Sequence, residues 1–154
     1  MSGTPATAHD RLDFERVIAC SRAVLWQSLI DPELRQAWGP SEGEVLRFTA
    51  TDTREGGHDV HLCGPVTDPG FEVTTIWHRI AEPDAACFTE VMRAQGRLLS
   101  ASQVDYALTG TEAGCRLAVT VWVSSFVGPD LVAGFRTGWG SALDNLTAYL
   151  EKLS

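Results

Sequence analysis

Apolar residues at Leu131, Phe135, Trp139, Leu143 or Ala142, Leu146, Leu150 and Leu153 recur every three or four positions and predict one long amphipathic helix, Pro129 to Leu153. Three glycines, Gly134, Gly138 and Gly140, fall within it. Each costs roughly 1 kcal/mol in a helix interior, so the segment is helical only if something packs on it. Near the other end, Leu12 to Ile18 alternates like a strand. Ser21 then caps a short helix through Ile30, with Trp26, Leu29 and Ile30 on its buried side. Asp31-Pro32 starts a second helix, a side-chain cap followed by proline where a missing amide costs nothing. That helix stops by Trp38-Gly39-Pro40.

Between these helices and the last one, the pattern is strand: Glu44 to Thr49, His58 to Cys63, Phe71 to Ile80, Ala86 to Met92, Ser100 to Leu108 and Cys115 to Val123. Turn residues separate them at Arg54-Glu55-Gly56-Gly57, Gly64 to Gly70, Glu82-Pro83-Asp84 and Thr109 to Gly114. The order is strand, two short helices, six strands, long helix, an α+β arrangement of one domain over residues 11–154 behind a flexible tail, residues 1–10. A single long helix on a curled antiparallel sheet leaves room for a pocket between the two.

Charge narrows the partners. The net charge is -8 and no cations cluster, so phosphate backbones and anionic membranes are poor partners. No run approaches 18 apolar residues, which excludes insertion of a conventional spanning helix. The cysteines Cys20, Cys63, Cys87 and Cys115 show no CxxC spacing and sit in or beside apolar strands. They predict free thiols in a reduced, cytoplasmic protein without a zinc site.

Several motifs are shared with a known group. Ser21 to Trp26, Asp31-Pro32-Glu33-Leu34 to Trp38-Gly39-Pro40, Asp52 before Arg54-Glu55-Gly56-Gly57, Ile80-Ala81-Glu82-Pro83, Phe88-Thr89, and Gly138 to Leu146 with Tyr149-Leu150 carry the likeness. The chain resembles the SRPBCC, or START-like and Bet v 1-like, helix-grip superfamily, within it the group related to the C-terminal domain of the Hsp90 ATPase activator. The resemblance implies a curled antiparallel sheet of about seven strands around a long C-terminal helix, enclosing a cavity. It also implies binding of a small, largely apolar or aromatic molecule. A cyclase-, dehydratase- or hydrolase-like enzyme acting on such a ligand is one alternative. A protein-protein module with a chaperone partner or a homodimer is the other. The resemblance places Trp38 at an opening to the cavity.

Strand parity selects the candidate chemistry. Leu117, Val119 and Val121 share one face, as do Val104, Tyr106 and Leu108, and both faces are expected toward the long helix, with Trp122 pointing away. Pairing Ile80 with Phe88 sets His78 opposite Glu90 on an apolar face, as an internal hydrogen bond, a ligand anchor or an acid-base pair; the other register turns both out to solvent. Trp77 then belongs at a rim or on the surface. The expected ligand contacts are Trp38, His78, Phe88, Glu90, Tyr106, Phe135 and Trp139. His58 and His61, three apart, fall on opposite strand faces and do not suggest a metal site. No nucleophile-base set, cofactor fingerprint or phosphate loop stands out, so no catalytic residue and no cofactor are named.

Overall fold

The computed structural model describes residues 6–153, so residues 1–5 of the expected tail lie outside the described residues. The elements are β1 (Ala8–Ile18), α1 (Arg22–Ile30), α2 (Pro32–Trp38), β2 (Glu44–Ala50), β3 (His58–Pro65), β4 (Phe71–Ala81), β5 (Ala85–Ala94), β6 (Arg97–Thr111), β7 (Gly114–Ser125) and α3 (Pro129–Leu153). The strands form one seven-stranded sheet in the order β1-β7-β6-β5-β4-β3-β2, antiparallel throughout.

Local chemistry sets the helix ends. The Ser21 side chain accepts the Val24 amide at 3.2 Å and starts α1. Asp31 does two jobs: its amide closes α1 on the Gln27 carbonyl, and its carboxylate accepts the Glu33 amide at 2.9 Å to open α2. Pro32 follows at the first position of α2. At the start of α3, the buried Ser125 hydroxyl donates to the Gly128 carbonyl at 2.7 Å and accepts the Val127 amide at 3.2 Å, fixing the angle of entry. Gly114 has φ near 141°, and a Cβ there would lie 2.2 Å from the Ile18 carbonyl oxygen, so only glycine lets β7 turn in against β1.

One core holds the helices on one sheet face. It joins Leu12 and Ile18 of β1, Leu25 and Leu29 of α1, Val104 and Leu108 of β6, Leu117, Val119, Val121 and Val123 of β7, and Leu143, Leu146 and Leu150 of α3. The opposite face is solvated, and there Trp122 stacks under the Arg11 guanidinium at 5.0 Å. Two expectations need correction. First, the sheet is not strongly curled around α3. It is open, with β1 and β2 as separate edges, and α3 lies along β1 and β7 at one end of it. Strong curling needs repeated bulges or glycine kinks; the register breaks fall at Phe48/Ala50, Trp77/Arg79 and Met92/Arg93, all in the β2–β6 half. They bend strands locally without bringing the edges together. Consequently only Leu143, Leu146 and Leu150 of α3 are fully buried, and Phe135 and Trp139 are half-buried.

Second, the β4–β5 register differs from the expected one. Trp77 pairs with Phe88, Thr75 with Glu90 and Ile80 with Ala86, and an irregularity separates Trp77 from Arg79. One extra residue reverses the parity of everything beyond it. Val73, Thr75 and Trp77 therefore point inward, and His78 sits exposed, its Nε2 2.8 Å from the Thr89 hydroxyl. His78 does not face Glu90. Trp77, expected at the rim, is fully buried.

Candidate functional site

A cleft of about 740 Å³ opens where the core ends, between the first half of α3, the end of α2 and the inner face of β2–β6. Its position follows from α3: Gly134 and Gly138 line it, and a Cβ built on either meets nothing within 4 Å. The glycines thus leave unfilled the space that a regular apolar stripe would occupy. At its far end, the Asn145 amide donates to the Ser41 hydroxyl at 3.3 Å, tying α3 to the loop after α2.

Tyr106 and Trp139 stand in one wall, backed by the buried Phe88 and Trp77. Trp77 and Phe88 lie 4.8 Å apart, Phe88 and Tyr106 5.3 Å, Tyr106 and Trp139 6.4 Å, so a tilted aromatic series runs from the sheet up to α3. Trp38, Glu90, Tyr106, Phe135 and Trp139, all expected as ligand contacts, line the cleft. Phe88 lies behind Tyr106, buried rather than lining, and His78 is on the opposite sheet face. Trp38 is itself fixed by its indole N–H, which donates to the Ser28 carbonyl at 2.8 Å.

The floor carries a polar group that sequence reasoning missed. Arg35 and His61 line the cleft while only 7% and 5% exposed. The Arg35 guanidinium stacks on Phe48 at 5.0 Å, and the His61 ring tilts against the same Phe48 at 5.2 Å. Phe48 is held by its amide, which donates to the Gln36 side chain at 2.8 Å and couples α2 to β2. Burial, with the nearby Arg35 charge adding to it, lowers the His61 pKa to about 3, so the imidazole is neutral. Glu90 is pushed upward by burial, against opposing pulls from Arg35 and from the Thr75 hydroxyl, which donates to it at 3.3 Å. Tyr106 is likewise raised by burial. Burial, then Glu90 and Glu44, push the Cys63 thiol up to about 11. The signals were present but ambiguous. Arg35 stands three residues before Trp38 and so shares its helix face, and His61 alternates with Asp59 and Cys63 in a strand whose inward face is polar.

Asp59 is structural. Fully buried beside the cleft, it accepts the Trp77 indole N–H at 2.8 Å, the Asp52 amide at 2.7 Å and the Thr53 hydroxyl at 2.9 Å. Asp52 accepts the Arg54 side chain at 2.8 Å. A Cβ on Gly57 would lie 1.9 Å from the Asp52 carbonyl oxygen, so the turn closes only with glycine. Among the described residues, no three His, Cys, Asp or Glu side chains could share a metal ion, and no helix is long and apolar enough to cross a membrane.

This geometry matches a known family. The family model described as activator of Hsp90 ATPase homolog 1-like protein matches residues 19–151. The chain belongs to this family. A solved structure of an uncharacterized protein from Rhizobium leguminosarum is similar to it with a TM-score of 0.81 at 21% identity, over 96% of this chain and 97% of that one. One from Rhizobium loti has a TM-score of 0.81 at 23% identity, over 93% and 98%. One from Mycobacterium smegmatis has a TM-score of 0.74 at 19% identity, over 99% and 100%. At these identities the likeness of this activator-like chain to them establishes the SRPBCC-like fold alone. No curated protein matches the chain.

Proposed function

We propose that this activator-like protein binds a small, largely apolar or aromatic molecule in the cleft beneath α3. The observation that carries the reading is the cleft itself. About 740 Å³ of space is walled by Trp38, Tyr106, Phe135 and Trp139, and two helix glycines leave it unfilled. Small-molecule sites typically occupy about 300–1,000 Å³ with apolar and aromatic walls and a few placed polar groups. Broad aromatic faces suit a planar or amphipathic guest.

A cyclase-, dehydratase- or hydrolase-like reaction on such a guest has one feature in its favour: the Glu90 carboxyl, which burial holds toward its protonated form, lines the cleft. It lacks a nucleophile with a base. Among the described residues, no hydrogen bond links the cleft's Ser41, Ser141 or Cys63 to a histidine or a carboxylate. Binding is therefore the reading of choice.

The test uses N-phenyl-1-naphthylamine, a neutral probe that fluoresces strongly in apolar surroundings. Titration should give a blue-shifted, saturable rise with one site per chain. A flat titration up to the probe's solubility limit would remove the cleft as a binding site and leave a protein-protein role as the surviving reading.

A further inference from the structure

We infer that the molecule bound in the cleft is an apolar monocarboxylate, and that its carboxylate seats against Arg35 and His61 at the polar end of the cleft. This rests on the apolar-ligand reading above and adds to it the charge and chemical class of the head group.

Two side chains at one place are left unfinished by the protein. Arg35 is 93% removed from solvent, yet its Nη1 has no hydrogen-bond partner, and no carboxylate pairs with its guanidinium among the described residues. It packs instead on the face of Phe48, a weak substitute for an anion. His61 is 95% removed from solvent, and its Nδ1 is also unpartnered. Both residues line the cleft and both pack on Phe48, so the orphaned atoms belong to one constellation. An uncompensated buried guanidinium is costly, and a buried polar atom without a partner costs roughly 1–3 kcal/mol.

What is missing is an acceptor. Arginine only donates, and a neutral imidazole can donate from Nδ1. The other titratable groups of the cleft do not supply the charge. Glu90 accepts the Thr75 hydroxyl and makes no ion pair with Arg35, burial raises the pKa of Glu90, Tyr106 and Cys63 alike, and Glu44 stands exposed on β2. A guanidinium without an ion-pair partner matches a single negative charge. A phosphate dianion would bring a second charge with no partner. A carboxylate is planar and offers two oxygens, which suits the forked donors of arginine with a second donor beside them.

The experiment displaces bound N-phenyl-1-naphthylamine with three guests that share one ten-carbon chain: decanoate, 1-decanol and decylamine, at pH 8. Decanoate should displace the probe at about tenfold lower concentration than decanol, with decylamine weakest. In Arg35→Met, which keeps the apolar stem, the probe should still bind and the decanoate advantage should shrink to about twofold or less. His61→Gln provides a second variant should Arg35→Met fail to fold by circular dichroism, and it should reduce the advantage in part. The ranking in the unmodified protein stands as a test without either variant. Equal displacement by decanoate and decanol, preference for decylamine, or a decanoate advantage that survives Arg35→Met would overturn the inference while leaving the cleft a binding site. A probe that never binds the unmodified protein would overturn both.

Discussion

Substitution of Gly138 by alanine and by leucine should separate the stability of α3 from the occupancy of the cleft. Gly138 lies in the interior of a 25-residue helix, and a Cβ there meets nothing within 4 Å. Gly138→Ala therefore adds no clash and gains the helix-propensity difference, about 1 kcal/mol. For a chain of this length that corresponds to a rise in Tm of about 2–4 °C. Leucine has nearly the same propensity, so Gly138→Leu should retain most of that gain. Its side chain, however, enters space the guest would use. Displacing one or two methylene-sized contacts at roughly 0.8 kcal/mol each weakens binding about four- to fourteen-fold. Urea denaturation and probe titration on the same three proteins give both quantities. The alanine variant should be more stable with affinity close to that of the parent, and the leucine variant more stable with weaker binding. A loss of more than about 1 kcal/mol in Gly138→Leu would mean that the space is not free. A stabilised leucine variant with unchanged affinity would mean that the probe binds elsewhere.

Two further outcomes follow from the polar groups. Trp77→Phe removes the indole N–H that donates to the buried Asp59 at 2.8 Å; it should cost about 1.5–3 kcal/mol in denaturation while leaving probe affinity unchanged, since Trp77 lies behind the wall, and a loss below about 0.5 kcal/mol would refute the role given to Asp59. His61 has a folded pKa near 3 against an ordinary 6.5, so the unfolded chain takes up the proton first. Stability from this group is complete above pH 6.5 and falls as pH drops toward 3, by about 1.4 kcal/mol per pH unit; His61→Gln should flatten that acid limb, and parallel limbs in the two proteins would contradict it.

The parts of the fold that were legible in the sequence are those where one residue type answers to one physical demand. Alternation through Val104, Tyr106 and Leu108, and through Leu117, Val119 and Val121, identified the buried face, because both strands are regular along that stretch. Ser21 and Asp31-Pro32 marked helix starts because capping is a local matter. The β4 bulge was not legible: Ile76-Trp77-His78 reads equally well in either parity, and only the pairing with β5 decides. Curvature was out of reach for a similar reason, since it depends on how strand pairs add up across the sheet. The cleft residues split along the same line. Tyr106 and Glu90 sit among apolar neighbours on regular stretches, whereas Arg35 and His61 read as surface polar groups until Phe48, from another strand, is seen between them and solvent exposure is lost.

The division within α3 has a consequence for how such a protein can change over generations. Leu143, Leu146 and Leu150, which anchor the helix in the core, occupy its second half, and the cleft-lining positions at Gly134, Phe135 and Gly138 occupy its first. A side chain begun at Gly134 or Gly138 meets nothing within 4 Å, so substitutions there add nearly independently to substitutions at the anchoring leucines. Selection can therefore rewrite the shape offered to a guest, one residue at a time, without spending the stability that keeps the chain folded. Drift toward a new ligand at these two positions needs no compensating repair in the core, and divergence among relatives should concentrate there.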